Sequence, residues 1–174
     1  MIQIRQAMSD CASTFPAIER SAAEAFRTFP ALSYLSEEEV KDAGWHEEMI
    51  AAGTCWVAVA PQFGIVGFLS AQAVDRTLHV RELSVCRDYQ GQGIGGRLMV
   101  AALEGAVALG LIEVTLTTFR EVPWNAPFYK RLGFELLNDE AAGERLGRIL
   151  AEERALGLTG GTRCAMKLSL DRLS

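Results

Sequence analysis

Apolar positions alternate with polar ones in several short runs of this chain, and in others they recur every three or four residues. Alternation marks a strand with one covered face, and the longer spacing marks a helix with one buried stripe. Residues 2–5 read as a short first strand. Ile18, Ala22, Ala25 and Phe26 then keep helical spacing, with Asp10 as a start signal and Pro30 as an interruption. Ser36, followed three residues later by Glu39, is a capping-box arrangement and predicts a second helix running from there toward Gly53. The acids Glu37, Glu38 and Glu39 then read as the negative first turn of that helix.

The pattern changes at Cys55. Residues 55–60 and 65–73 flank the turn signal Pro61-Gln62-Phe63-Gly64 and predict a hairpin, with a third strand at 78–85. A glycine-rich stretch at 91–96, a helix through Leu109 ended by Gly110, and a strand at 112–119 follow. Residues 124–132 read as a short helix and 134–137 as a short strand. Leu146, Ile149 and Leu150 place a helix within 139–156, and an alternating strand at 163–170 closes the pattern. Antiparallel strands followed by a strand–helix–strand unit predict an α/β fold, a mixed sheet with helices on both faces.

Composition narrows the class. A length of 174 residues suits one domain spanning residues 1–174. The 17 lysines and arginines against 22 aspartates and glutamates leave a charge of -5, which argues against a nucleic-acid or anionic-membrane surface. Cys11, Cys55, Cys86 and Cys164 are scattered, without a C-x-x-C pair or a histidine spaced to complete a zinc site. Reduced thiols, no metal and a cytoplasmic location are the expectation. The first ten residues carry Arg5 and no apolar run, so no signal peptide is expected, and no stretch nears the ~20 apolar residues of a membrane span.

The chemistry concentrates after the third strand. In Gln90-Gly91-Gln92-Gly93-Ile94-Gly95-Gly96, a strand enters a glycine turn and a helix leaves it. Glycines admit positive φ and close backbone approach, and the turn amides with the helix N-terminus form an anion-binding concavity that suits a pyrophosphate. No Gly-Lys-Ser/Thr ends the turn, so it is not a Walker A loop. The dinucleotide spelling G-x-G-x-x-G is met at Gly91, Gly93 and Gly96. It lies mid-chain, however, and the next strand ends in Thr117-Thr118-Phe119-Arg120 without the expected acid.

The same stretch resembles the Gln/Arg-x-x-Gly-x-Gly/Ala clamp of the GCN5-related N-acetyltransferase (GNAT) superfamily. Downstream, Asn125-Ala126-Pro127-Phe128-Tyr129-Lys130-Arg131-Leu132-Gly133-Phe134 is similar to that family's second mark, an Asn, a Tyr and then Gly-Phe. One helix and one strand separate the two, as in the family. The resemblance implies a mostly antiparallel sheet of about seven strands with splayed middle strands. It implies acetyl-CoA as co-substrate, its pyrophosphate on the amides of the glycine turn and its pantetheine arm along the backbone of Leu83, Ser84 and Val85. An amide near Val85 would polarise the thioester carbonyl, and Asn125, Phe128 and Tyr129 would join the cofactor side.

Acetyl transfer from a thioester to an amine also requires a base for the amine and an acid for the departing thiolate. Tyr129 is the candidate acid: with Asn125 capping a short helix and Pro127 in its first turn, Asn125 and Tyr129 share a face, while Phe128 and Leu132 pack inward. For the base, His79, Glu82 and a water relay stay open. His79 stands where related histone-modifying members carry a glutamate, and Glu82 lies on the opposite strand face unless a bulge shifts the register. The acceptor, a small-molecule or peptide amine, is expected between the first two helices and the loop after Phe119. Candidate lining residues there are Phe26, Phe29, Trp56, Trp124, Glu24, Glu47 and Glu121. A non-catalytic acyl-CoA-binding module and a dinucleotide oxidoreductase are the other function classes, and the edge of the closing strand suggests a homodimer.

Overall fold

A computed structural model of the chain describes residues 1–158 and 162–172, the side chain of residue 172 excepted. Among the described residues seven strands form one sheet: β1 (Gln3–Gln6), β2 (Cys55–Ala60), β3 (Gly64–Val74), β4 (Thr77–Val85), β5 (Glu113–Phe119), β6 (Glu135–Leu137) and β7 (Arg163–Ser169). Their spatial order is β1-β2-β3-β4-β5-β7-β6. Only β4 and β5 run parallel, joined by the helix between them; every other neighbour is antiparallel.

Five α-helices cover the sheet: α1 (Phe15–Ala23), α2 (Ala43–Ala51), α3 (Ile94–Ala108), α4 (Ala126–Arg131) and α5 (Asp139–Ala155). Strand alternation sorts the core onto two faces. Trp56, Ala58, Leu69, Ala71, Val114, Leu116 and Met166 pack with Ile94, Leu98 and Met99 of α3, and Tyr129 of α4 and Leu132 just after it join them. On the other face Cys55, Val57 and Phe68 meet Phe15 and Ile18 of α1 and Met49 of α2. Ala165 meets Leu146 and Leu150 of α5 there.

Three expectations change. The Ser36–Glu39 capping box does not start a helix: residues Pro30–Ser36 form a 3-10 turn, and α2 begins at Ala43, capped by Asp42, whose Oδ1 accepts from the Trp45 amide at 3.0 Å. Pro30 at the start of that turn sets a tighter local winding, and Glu37, Glu38 and Glu39 are left exposed beyond its end. The closing strand is not an edge. β7 lies between β5 and β6, so the ground given for a homodimer is removed.

Trp56 was expected near the acceptor, but it is 4% exposed on the α3 face. A Cβ placed on Gly105 would lie 2.3 Å from its Cζ2. Gly105→Ala is therefore expected to destabilise the fold by about 1–3 kcal/mol through overpacking, overriding the usual helix gain of alanine over glycine. Urea unfolding measures it; an unchanged or higher midpoint would mean the indole can move aside.

Candidate active site

β4 ends at Val85 and a single 3-10 turn, Arg87–Tyr89, carries the chain into the glycine turn. Gly91 and Gly93 have φ of 75° and 76°, the left-handed region in which a side chain is strained. Gly93 is the N-cap of α3 and brings no side chain to cap it. The first-turn amides of Ile94, Gly95 and Gly96 have no intrahelical acceptor and point off the helix end, where the dipole of a 15-residue helix favours an anion.

The two glutamines serve the turn itself. Gln90 Nε2 donates to the Val85 carbonyl at 3.0 Å and to the Ala22 carbonyl at 3.4 Å, and its Oε1 accepts from Arg87 at 2.9 Å. Gln92 Nε2 donates to the Asp88 carbonyl at 3.2 Å. Their side chains hold the loop in shape, and the anion-facing groups are backbone.

Beside this turn the sheet opens. β4 and β5 pair at Thr77–Glu113, Leu78–Val114 and His79–Thr115, and not beyond. From there β4 keeps only β3 as a neighbour. The Cys86 amide donates to the Val66 carbonyl at 2.8 Å, so alternation along an antiparallel ladder turns the backbone of Leu83 and Val85 toward the gap and that of Ser84 toward β3. With the Val85 carbonyl held by Gln90, the Val85 N–H and both Leu83 groups are the ones aimed across the opening.

A register shift decides where the candidate bases lie. Ser70 faces Glu82, but Ala71 faces Val80, which leaves Arg81 as an extra residue in β4. Leu78, Val80, Leu83 and Val85 therefore lie on the α3 face, and His79, Glu82 and Ser84 together on the other. His79 sits at the closed end of the gap, 3% exposed, its Nδ1 2.9 Å from Thr115 Oγ1, which also receives Arg145 at 3.0 Å. Burial, then the charges of Arg145 and Arg81, push its pKa down to about 3, so it stays neutral. Glu82 lies farther along, where the strands have separated, and accepts from Ser84 Oγ at 2.7 Å. Burial raises its pKa, opposed by the Ser84 hydrogen bond and by Arg163 and Lys41.

Tyr129 comes to the gap from the α3 side. Its ring lies 5.1 Å from Phe128 and 5.8 Å from Phe134, and its hydroxyl has no hydrogen-bond partner among the described residues. Burial first, then the negative charge of Glu82, push the phenol above its ordinary pKa, with Arg163 opposing. Tyr129, Glu82 and Arg163 thus feel one another although they stand on three different elements.

The arrangement has a family. A profile of the acetyltransferase (GNAT) domain matches residues 51–136, the stretch that runs from the start of β2 through the glycine turn, the gap and Tyr129. The chain belongs to the GNAT acetyltransferases. Solved structures agree at the level of the fold. A PaiA N-acetyltransferase from Thermoplasma acidophilum in complex with coenzyme A is 16% identical, with a TM-score of 0.68 over 97% of this chain and 99% of that one. The ribosomal-protein-S18-alanine N-acetyltransferase from Escherichia coli is 16% identical, with a TM-score of 0.65 over 98% and 94%. An N-acetylglutamate synthase from Neisseria gonorrhoeae, complexed with coenzyme A and N-acetyl-glutamate, is 15% identical with a TM-score of 0.67; the match takes in 98% of this chain but 35% of that one.

In this GNAT chain the second motif works differently from the expected cap. Asn125 occupies the N-cap position of α4 but makes no side-chain cap. Its Oδ1 accepts instead from Thr118 Oγ1 at 2.7 Å and from the Phe119 amide at 3.4 Å, which ties the loop before α4 to the end of β5. A hydroxyl and an amide already fixed by β5 outcompete the helix's own free amides for that oxygen. Tyr129 is placed through the backbone, its amide donating to the Asn125 carbonyl at 3.1 Å, and Phe128 lies against Gly95 of α3.

On the opposite face, Phe26 stands 6.1 Å from Phe119 and 5.5 Å from Trp124, while Phe29 packs into the same cluster. These aromatics wall the mouth of the gap on the side that carries Glu82. Glu24 is paired with Arg27 at 2.8 Å, and Glu47 and Glu121 are exposed. Residues the pattern did not single out also gather here. Arg163 stacks 4.5 Å over the Phe119 ring, donates to Glu153 at 2.8 Å and reaches Thr117 at 3.3 Å. Glu19, Lys41 and His46 lie behind Glu82. Only helical spacing around Ile18 hinted at any of them, because α1 packs on β4, α2 on β3 and β7 on β5 across long stretches of chain. Among the described residues no helix is long and apolar enough to cross a membrane, and no group of three or more His, Cys, Asp or Glu could hold a metal.

Proposed function

We propose that the whole chain, residues 1–174, works as one cytoplasmic domain that transfers an acetyl group from acetyl-CoA to a primary amine of a small molecule or peptide. The single observation behind this reading is the gap between β4 and β5, with Tyr129 reaching it from one face and Glu82 from the other. The α3 amides receive the pyrophosphate, and the exposed backbone of Leu83 and Val85 pairs with the pantetheine arm as an added strand would.

Glu82 is the favoured base over His79, because it stands where the strands have parted and its raised pKa makes a stronger proton acceptor. It takes the proton of the incoming ammonium, and the freed amine attacks the thioester carbonyl. The Val85 N–H holds the oxygen that gains charge. As the C–S bond breaks, Tyr129, kept protonated by burial, gives its proton to the leaving sulfur; the nitrogen sheds its second proton, which restores the phenol through solvent, and Glu82 releases the first to solvent. The aromatic wall of Phe26, Phe119 and Trp124 suits an amine carried on an apolar or aromatic group.

A thermal-shift titration tests the donor. Acetyl-CoA at a hundredfold excess over its Kd is expected to stabilise the native state by about 2.7 kcal/mol, whereas NAD and NADP leave the midpoint unchanged. Release of free thiol from acetyl-CoA across a panel of amines then tests transfer. No shift with any CoA thioester would overturn the reading, and a shift without transfer to any amine would favour a binding module.

A further inference from the structure

Behind Glu82, on the same face, runs a buried polar row that the proposed transfer leaves unused. Ser70 is the cross-strand partner of Glu82. Its Oγ lies 2.9 Å from His46 Nδ1 and 3.3 Å from Cys55 Sγ. On the far side of the ring, His46 Nε2 stands 4.0 Å from Glu19 Oε2. His46 is fully buried, boxed by the rings of Phe15, Trp45 and Phe68. Glu19 Oε2 and His46 Nε2 are both buried and both lack a hydrogen-bond partner.

An unpaired buried polar atom costs about 1–3 kcal/mol, so two of them facing each other call for an explanation. One protonation state makes the two complementary and lets them pair once they close from 4.0 Å. If His46 is neutral and donates from Nδ1 to Ser70, its Nε2 is a lone pair, and a protonated Glu19 presents an O–H to it. An ionised Glu19 would set a second negative charge beside Glu82 and face a lone pair besides. The electrostatics agree. Burial, then the charge of Glu82, push Glu19 up to about 8, with the Lys41 N–H, the Lys41 ammonium and Arg20 opposing. Burial lowers His46 to about 4 against the charge of Asp42, with Lys41 adding to the lowering.

Resting on the transfer reading above, we propose that Glu19 is a positioning residue for acetyl transfer. Held as a neutral acid against His46 Nε2, it fixes the His46–Ser70 row behind Glu82 and keeps a second negative charge away from Glu82. The charged and titratable groups around the two carboxyls are Lys41 from the loop before α2, Arg20 on α1, His46 and Asp42 at α2, Arg163 on β7 with its partner Glu153 on α5, and Tyr129 on α4. When Glu19 loses its proton to solvent the row loses the donor that faces His46 Nε2, and turnover changes with it.

The test uses the two histidines of the chain as reporters. In 15N spectra of the wild-type ring nitrogens, His46 is expected to stay neutral with the proton on Nδ1 above pH ~5, and its Nε2 signal to move in one step at mildly alkaline pH as Glu19 ionises. Glu19→Gln, which mimics the neutral acid, is expected to keep at least half of kcat/KM at pH ~7, to lose the Nε2 step, and to lose the alkaline inflection of the kcat/KM profile at the same pH. A purely structural Glu19 would lower thermal stability in the variant and leave that inflection in place. An Nε2 signal flat in the wild type, or an inflection that persists in Glu19→Gln, would overturn the proposal. Should the wild type transfer acetyl to no amine, the transfer reading fails while the wild-type Nε2 step still reports on the Glu19–His46 contact.

Discussion

Tyr129→Phe is expected to lower kcat for acetyl transfer by about 100-fold or more while leaving KM for acetyl-CoA within about twofold. Removal of a positioned general acid costs ~10²–10⁴ in rate, and the substitution deletes one hydroxyl only. The ring contacts with Phe128 and Phe134 survive it, as does the packing of α4 on α3. Because the hydroxyl has no partner among the described residues, its loss leaves no stranded donor or acceptor, and the thermal midpoint should hold. That separation matters. A tyrosine that merely filled the core would show the reverse, with turnover near wild type and any loss confined to stability. Steady-state kinetics with acetyl-CoA and any accepted amine decides it, and turnover within a few-fold of wild type would remove Tyr129 from the chemistry.

The largest effect on stability is expected from acid. His46 and His79 have native pKa values of about 4 and about 3 against an ordinary 6.5. Between those limits the unfolded chain binds protons that the native state refuses, so both contributions are whole above pH 6.5 and are lost as pH falls. At 1.36 kcal/mol per unit, each histidine is worth roughly 3 kcal/mol or more once both states have titrated. Glu19 and Glu82 act with the opposite sign. Their native pKa values are raised above 4.5, Glu19 to about 8, so the native state holds the extra protons and stability falls as pH rises through that window. The opposing slopes overlap between pH 4.5 and 6.5. Unfolding free energy is therefore expected to change less steeply there than below, where the histidines act alone, and to decline from pH 6.5 toward pH 8 as Glu19 ionises. Urea melts across this range measure it, and a stability that climbs steadily from pH 6 to 8 would show that Glu19 is ionised in the native state.

Much of the architecture was legible because strand alternation and helix stripes are enforced by burial on both sheet faces. From Gly67 on, β3 reads as Gly67, Leu69, Ala71 toward α3 and Phe68, Ser70 away from it, and a one-residue slip would exchange those sets; a register shift beside Ala58 puts Val66 on the α3 face and Ile65 on the other. The seven strands and the glycine turn could be placed within a residue or two on that basis. The errors arose where two local signals competed. Ser36 and Glu39 spell a cap, but the chain leaving a Pro30-led 3-10 turn does not enter the next helix until Ala43, after the extended N-cap Asp42. Asn125 sits where a cap belongs, yet Thr118 holds its oxygen.

The site was legible only along its continuous half. Residues 83–96 and 125–134 lie in two short stretches whose spelling is itself informative. The half proposed for the acceptor draws on α1, α2 and β7, and nothing in the wording around Glu19, His46 or Arg163 tells that the fold gathers them around Glu82. Fold topology, not local pattern, brings them there.

The extra residue at Arg81 has a consequence for how this chain can vary. Strict alternation would have put Glu82 among Leu78 and Val80, beneath α3, and turned Leu83 and Val85 over to the opposite face. Two halves of one strand are thereby phased to opposite sides of the sheet, with a single residue as the joint between them. Substitutions at Arg81 leave that phase intact, whatever side chain they bring. Deleting Arg81, or inserting one residue beside it, would invert everything from position 82 to the glycine turn at once. In that segment chain length, more than residue identity, carries the information.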